Sequence, residues 1–342
     1  MTLDDRISIL LRLARHLNSD EDEFLTALMK RTEFNNNWLT LANQQRALRA
    51  VIDEFLQENK LREWLSDYPI AAPAFPPKKT VGLVLAGNIP LVGLHDVFSV
   101  FLAGHRAQIK LSSKDPYVLP YLLQLLAKYD ARVEAYFTIA EHLHGFDAIV
   151  ATGSNNSSRY FEAYFGKYPH IIRRNRNAVA VLTGHETEEE LERLGDDVFA
   201  YFGLGCRNVS KIYVPRGYDF DPLLEHFHEW KGYQNHVKWK NNFDYNFALL
   251  TLNKEPFYHN GAIILRESEQ LASHISGLYF SYYNSLGAVT QELRERESEL
   301  QLVVARPGLL DVPTFDFGQA QRPGLGDYAD GVDTMAFLAT GF

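Results

Sequence analysis

Apolar residues recur at helical spacing through the first part of the chain. Ile7, Leu10, Leu11, Ala14 and Leu17 form one stripe, and Phe24, Leu25, Leu28 and Met29 a second. Leu48, Val51, Ile52 and Phe55 form a third, on a longer helix that begins near Trp38. The acidic run Asp20-Glu-Asp-Glu23 suits a helix start, where carboxylates meet the positive end of the peptide dipoles. Ala71-Ala-Pro-Ala-Phe-Pro-Pro77 breaks this pattern, so the predicted helical segment occupies residues 1–76.

The period then changes. Thr80-Val-Gly-Leu-Val-Leu-Ala86 is a continuous apolar run, as expected of a strand covered on both faces of a parallel sheet. Gly87-Asn-Ile-Pro90, a helix from Leu91 to Ala103 and a strand at Ala107–Leu111 complete a βαβ unit. It continues through a helix over 117–129, a strand over 133–138 and a buried strand at Asp147–Thr152. Gly153-Ser-Asn-Asn156 then opens a helix that ends near Gly166. Ala178–Leu182 starts a second α/β unit, whose amphipathic helix Glu188–Phe202 leads through a glycine turn to Ile212–Pro215. From 216 to 300 the pattern weakens. Strands are expected at Phe247–Leu252 and Ala262–Leu265, and helices at Asp221–Trp230 and Glu267–His274, with a charged, solvated helix at Thr290–Glu299. Thr334–Leu338 reads as a terminal strand that must dock on something, such as another subunit's sheet edge. The predicted fold class is α/β: a helical N-terminal segment, two doubly wound α/β domains at 77–177 and 178–305, and a C-terminal tail with its docking strand at 306–342.

The length of 342 residues exceeds one comfortable core, in keeping with two domains. A formal net charge of −9 argues against a nucleic-acid partner, whose binding face is basic. A single cysteine rules out a disulfide framework, and Met1-Thr-Leu-Asp-Asp lacks the basic and apolar regions of a secretion signal. No apolar run approaches the ~20 residues of a membrane span, so a cytoplasmic, reducing setting is expected. The 22 Phe and 18 Tyr fit either a roomy apolar site or simply a ring-rich core.

The cysteine stands in Phe202-Gly-Leu-Gly-Cys206-Arg-Asn-Val-Ser-Lys211. Gly203 and Gly205 allow a tight bend and a close approach to the thiol, while Arg207 and Lys211 bring positive charge that favours the thiolate. A nucleophile and a small buried hydrophobe are both open readings. The Gly-X-Gly-X-X-Gly phosphate fingerprint is absent after the first buried strand, which disfavours an ordinary Rossmann dehydrogenase. Thr152-Gly-Ser154 offers amide N–H groups and a hydroxyl to a phosphate, and equally to its own helix as an N-cap. Lys110, ending an apolar strand, needs an anion or solvent for its ammonium. His142-X-His144 and His226-X-His228 lack cysteine or carboxylate partners, so no metal site is expected.

Four of these elements, taken in order, resemble the aldehyde dehydrogenase superfamily. They are Asn88 in Gly-Asn-Ile-Pro, Lys110 in Ile-Lys-Leu-Ser-Ser, Gly153-Ser154 after a strand, and Cys206 in Gly-Leu-Gly-Cys. The superfamily's matching elements read Trp-Asn-Phe-Pro, Val-Lys-Pro, Thr-Gly-Ser and Gly-Gln-X-Cys. The sequence is more similar still to the acyl-CoA reductases, the family that includes the fatty acid reductase of bacterial luminescence. Their ending resembles Gly318-Gln-Ala-Gln321 and Leu325-Gly-Asp-Tyr-Ala-Asp-Gly-Val-Asp-Thr-Met335. The resemblance covers about 78–215 and the tail.

The resemblance implies an aldehyde-dehydrogenase-like fold, with 77–177 binding a dinucleotide and 178–305 carrying the catalytic Cys206. Cys206 would hold the acyl group as a thioester. The Asn88 side-chain amide and the Cys206 N–H would form an oxyanion hole, worth about 3–4 kcal/mol per donor. Lys110 would hold the adenosine ribose, with Ser112 and Ser113 beside it, and Gly153 and Ser154 would meet the pyrophosphate. NAD-preferring relatives carry a glutamate three residues after the lysine. Here Ser113 stands there, followed by Lys114, which favours NADPH over NADH. Hydrolytic relatives carry a glutamate base where this chain has Ile171-Ile-Arg-Arg-Asn-Arg-Asn177, so the thioester would survive for exchange with a thiol such as CoA. Those arginines suit CoA phosphates or form a solvated basic loop, and His170 is the nearest substitute base. The implied activity is NADPH-dependent reduction of an acyl-CoA to the aldehyde by a homodimer, with an acyl-protein synthetase as a further partner. Alternatives are a hydrolytic or acyl-phosphate-using relative and a non-catalytic scaffold. The joint presence of Asn88, Lys110 and Cys206 counts against the scaffold.

Overall fold

A computed structural model describes residues 1–19, 21–70, 76–77 and 79–342. They fall into two compact units, Met1–Asn175 with Pro323–Phe342, and Arg176–Arg322. Asp20 of the acidic run and Ala71–Phe75 of the proline-rich break lie outside the described residues.

The first unit opens with α1 (Leu3–Leu17), α2 (Glu23–Asn35), α3 (Leu41–Ala50) and α4 (Glu58–Ser66). Thr2 and Asp5 close a capping box on α1, and Asp22 caps α2 by accepting the Leu25 N–H. The long helix expected from Trp38 is interrupted by a π turn at Val51–Phe55. The sheet then follows, with β1 (Thr80–Val84), α5 (Leu94–Ala103), β2 (Arg106–Lys110), α6 (Val118–Tyr129), β3 (Phe137–Ile139), β4 (Ala148–Thr152), α7 (Asn155–Phe165) and β5 (His170–Arg173). All pairings are parallel, in the order β3-β2-β1-β4-β5. The chain winds outward from β1 to β3 and returns to β4 on the other side of β1, so the switch point lies between β1 and β4. α5 is buried along nearly its whole length, including the polar Asp96 and Ser99.

The second unit runs β6 (Asn177–Val181), α8 (Glu188–Phe199), β7 (Val209–Pro215), α9 (Asp221–His226), α10 (Val237–Asn253), β8 (Tyr258–His259), β9 (Ile264–Glu267), β10 (Gly277–Tyr283), α11 (Leu286–Glu295) and β11 (Leu300–Val304). Its sheet order is β11-β6-β7-β10-β9-β8, with only β8 antiparallel to its neighbour. Three expectations fail here. The strand expected at Phe247–Leu252 lies inside α10, which is apolar on two faces. Trp239, Phe243 and Leu250 are buried while Tyr245, Leu249 and Leu252 are exposed, so no polar interval reveals the helical period. Residues 268–274 form no helix; Leu271 instead drops into the core above the sheet. The charged helix is α11, shifted toward the N-terminus, and it buries Val289, Thr290 and Leu293 instead of standing in solvent.

The expected C-terminal docking strand is the helix α12 (Thr334–Ala339). Asp333 caps it by accepting the Ala336 N–H at 2.8 Å, and Met335 and Leu338 enter the core of the first unit beside α5. The terminal apolar run is therefore satisfied within its own chain.

β7 places Lys211 in the core of the second unit. It is 0% exposed, its ammonium lies 4.9 Å from the Tyr213 ring centre, and its Nζ makes no hydrogen bond among the described residues. Burial pulls its pKa down, opposed by Glu269 and Glu292. Between the folded and unfolded pKa values the folded chain binds fewer protons, so this residue makes stability rise with pH in that window. At lower pH, burying the charged form costs stability. Lys211→Met keeps the stem and removes the amine, and is expected to leave the melting temperature unchanged or to raise it. A fall of several degrees in calorimetry at neutral pH would contradict this account.

Candidate functional site

In the first unit, the carboxyl edge of the sheet gathers the expected cofactor residues. Asn88 is exposed on the loop after β1, and Lys110 ends β2. The two strand ends are tied together, because the Leu85 N–H donates to the Lys110 carbonyl at 3.1 Å. A Cβ on Gly87 would stand 2.3 Å from Ser112 Oγ, so only glycine lets the Asn88 loop lie against Ser112. Asp115 Oδ2 accepts the Leu91 N–H at 3.3 Å on the far side of the same loop, and burial raises its pKa. Lys110 Nζ donates to the Glu141 carbonyl at 2.9 Å and remains exposed, as does Ser113. Gly153 and Ser154 follow β4, across the switch point from Asn88. Ser154 Oγ accepts the Ser157 N–H at 3.2 Å, so the N-cap reading holds in the structure. Lys110, the hydroxyls of Ser112 and Ser113, and the N-terminal end of α7 thus form a donor set on one sheet edge, a chemistry that fits a phosphorylated nucleotide.

Residues 170–176 run from β5 into the loop after it, and the reading of the arginines is corrected there. His170 begins β5 and pairs with Ile149, whereas Arg173 pairs with Thr152. At ~3.3 Å per residue, His170 lies roughly 10 Å back, toward the amino edge of the sheet, away from the donor set. The arginines are not simply a solvated loop. Arg173 is buried in a bidentate pair with Asp96, and Arg176 donates to the Leu300 carbonyl at 3.0 Å. Arg174 is the exposed one, paired with Glu162 at 3.4 Å.

In the second unit, α8 is opened by a capping box between Thr187 and Glu190 and ends at Phe199. Tyr201, Phe202 and Gly203 then take the left-handed conformation, with φ of 53°, 58° and 66°. For Tyr201 and Phe202 this costs about 1–2 kcal/mol each, and it persists only where surrounding contacts impose it. The Phe202 ring is packed at 4.5 Å from Tyr233 and 4.4 Å from His236. The chain then turns through Gly205–Asn208, closed by the Asn208 N–H donating to the Gly205 carbonyl at 3.1 Å. Cys206 is the first central residue of this turn and is half-buried.

Two polar residues behind the turn were not anticipated. Asn208 Oδ1 accepts the Gly205 N–H at 2.8 Å, and its Nδ2 donates to the carbonyls of Ala200 at 2.8 Å and Asp197 at 3.2 Å. The Asp197 carboxylate accepts the N–H groups of Gly318 at 2.7 Å and Ala320 at 2.9 Å. Burial pushes its carboxyl up to about 7, with Asp196 adding to the rise and the two amides and Arg207 restraining it. Arg207 Nε donates to the Ala320 carbonyl, and its guanidinium lies 4.8 Å from the Phe315 ring centre. The Gly318–Gln321 motif therefore packs behind the cysteine turn. Asn is a turn-forming residue, and its place close after Gly203 and Gly205 could have flagged Asn208. The charges expected to favour the thiolate are otherwise engaged: Arg207 on Ala320, and Lys211 in the core with its pKa lowered.

Among the described residues, no group of three or more His, Cys, Asp or Glu could hold a metal ion. Nor is any described helix long and apolar enough to cross a membrane.

The profile of the family described as acyl-CoA reductase (LuxC) matches residues 1–221. A long-chain acyl-protein thioester reductase from Photobacterium leiognathi is 21% identical over 268 residues, covering 72% of this chain and 55% of the relative. The chain thus spans about half the length of that curated relative. A solved Burkholderia cenocepacia structure assigned to the aldehyde dehydrogenases aligns with a TM-score of 0.67 at 14% identity, covering 90% of this chain and 76% of that one. A variant of the P. syringae indole-3-acetaldehyde dehydrogenase AldA, solved with NAD+ and IAA, aligns with a TM-score of 0.64 at 13% identity, covering 89% and 72%. These likenesses establish an aldehyde-dehydrogenase-like fold, and with the family profile spanning most of the sequence, the chain belongs to the acyl-CoA reductase (LuxC) family.

Proposed function

We propose that the chain reduces an acyl thioester to the aldehyde with NADPH, by way of an acyl group carried on Cys206. The observation that carries this reading is the Gly205–Asn208 turn, which holds a half-buried thiol in a chain of an acyl reductase family. The Cys206 thiolate adds to the donor carbonyl; its new S–C bond forms, the donor's C–S bond breaks, and the departing thiolate takes up a proton. The Asn88 amide and the Cys206 N–H receive the oxyanion. The chemistry that a bound, reduced nicotinamide would supply is hydride donation to the acyl carbon. Breaking the Cys206 S–C bond then releases the aldehyde and restores the thiolate.

Lys110, Ser112, Ser113, Gly153 and Ser154 hold the nucleotide in this reading, supported by the donor set on the sheet edge. The absence of a carboxylate from His170 to Asn177 supports thiol exchange over hydrolysis. The family description names acyl-CoA, while the Photobacterium relative's name specifies an acyl-protein thioester; both donors expel a thiolate. An acylated partner protein and a homodimeric assembly belong to the same proposal.

The test is turnover with acyl-CoAs of increasing length and with an S-acylated carrier protein, each with NADPH and with NADH. Aldehyde formed faster with NADPH is the expected product, and free acid would overturn the reading. Ser113→Glu puts a carboxylate beside the 2′-phosphate. It is expected to shift the kcat/KM ratio toward NADH by about tenfold or more, equivalent to about 1.4 kcal/mol. An unchanged ratio would remove Ser113 from cofactor selection.

A further inference from the structure

We propose that Asn208 is a positioning residue for Cys206, and that with Asp197 it forms a buried clamp that fixes the turn from which the thiol meets its acyl donor. This rests on the reading of Cys206 as the nucleophile.

The chain must reverse direction between the end of α8 and the start of β7, and it does so through left-handed Tyr201 and Phe202, a conformation unfavourable for both, before Gly203. The last turn of a helix also leaves carbonyls without a following helical N–H. Asn208 answers both needs from a position only 3% exposed. Its Nδ2 donates to the Ala200 and Asp197 carbonyls at the end of α8, while its Oδ1 accepts the N–H of Gly205, the residue before Cys206. A side chain there must accept and donate at once, which selects a primary amide. An aspartate would press a second oxygen against those carbonyls, and an alanine would leave both sides unsatisfied.

The residue after the cysteine is pinned as well. Arg207 donates to the Ala320 carbonyl, and the Ala320 N–H donates to the Asp197 carboxylate, which also takes the Gly318 N–H. Gly205 and Arg207 thus tie both flanks of Cys206 to one buried network that returns to Asp197, whose own carbonyl Asn208 holds. A thiol fixed in this way is pre-organised for attack, and a displacement of about 1 Å costs on the order of 10²-fold in rate.

The test compares wild type, Asn208→Ala, Asn208→Ser and Cys206→Ala. Single-turnover acylation by palmitoyl-CoA is followed by intact mass, alongside iodoacetamide alkylation, NADPH titration and thermal unfolding. Asn208→Ala is expected to acylate about 10²-fold more slowly per folded molecule, with NADPH affinity within twofold of wild type. Asn208→Ser keeps an oxygen for the Gly205 N–H and should fall between the two. It gives the same reading if the alanine variant does not fold. A folded Asn208 variant that acylates at the wild-type rate, or one that loses only melting temperature, sinks the clamp. In that case an unlabelled Cys206→Ala leaves the nucleophile assignment standing, whereas an acyl adduct on Cys206→Ala sinks the assignment itself.

Discussion

Cys206→Ala is expected to abolish aldehyde formation and to take up no acyl mass from an acyl-CoA, while binding NADPH as the wild type does. Removing the group that forms the covalent intermediate typically costs on the order of 10⁴-fold or more, because the alternative is direct transfer without an activated carrier. The fold should tolerate the change. The turn around the cysteine is closed by the backbone of Gly205 and by the amide of Asn208, and the side chain replaced is only half-buried. Nucleotide binding should also persist, since the proposed cofactor residues Lys110, Ser112, Ser113, Gly153 and Ser154 all belong to the first unit. Intact-mass spectrometry and an NADPH fluorescence titration on the same preparation therefore separate chemistry from binding. If the wild type also gains no acyl mass from CoA or carrier-protein donors, the non-catalytic scaffold replaces the reductase reading. If the adduct forms and then decays to free acid, water is being activated by a residue other than the missing glutamate.

The parts of this chain that follow one period over a sufficient length were legible in its sequence. The run Thr80–Ala86 announced β1, and the alternation that follows it announced a doubly wound sheet, because strands buried on both faces cannot hide their apolar continuity. Errors arose where the period was masked. α10 is wetted on a face that carries Tyr245, Leu249 and Leu252, so a helix looked like an apolar strand. Met335-Ala-Phe-Leu338 is too short to show any period, and the overlooked signal was the cap at Asp333. β10 went unassigned because aromatics on both faces of Leu278–Tyr283 gave no alternation. The candidate site divides in a similar way. Lys110 and Ser154 stood out at strand ends, whereas Asn88, and a role for any of the three, came only from the resemblance to the aldehyde dehydrogenases. Asp197 was not found, because its meaning comes from Gly318 and Ala320, more than a hundred residues away in sequence. Nothing local to α8 distinguishes that carboxylate from Asp196 beside it.

Arg173→Met is expected to destabilise the first unit by about 3–5 kcal/mol, the usual cost of leaving one charge of a buried pair without its partner. Arg173 and Asp96 are 5% and 4% exposed, joined by bonds of 2.6 and 3.0 Å, and Arg173 Nη2 also donates to Thr334 Oγ1 at 2.7 Å. Through Thr334 the pair anchors the first turn of α12, so the variant should also expose the tail from residue 323 onward to limited proteolysis. His95 sits beside this network and is held largely neutral, chiefly by burial, with Arg173 contributing and Asp96 opposing. Without Arg173, a proton on His95 would gain Asp96 as its partner. The folded-state pKa of His95 would then rise from its depressed value, so the stability that this buried imidazole costs at low pH would be smaller than in the wild type. The deficit of Arg173→Met should therefore be smaller at about pH 6 than at pH 8. Adding Asp96→Leu removes the orphaned carboxylate and should restore most of the lost stability at pH 8 while leaving the tail susceptible, since the bond to Thr334 is still missing. Urea denaturation of the single and double variants at both pH values measures each of these effects. A double variant no more stable than the single one would mean that Arg173 acts through packing, not through its charge.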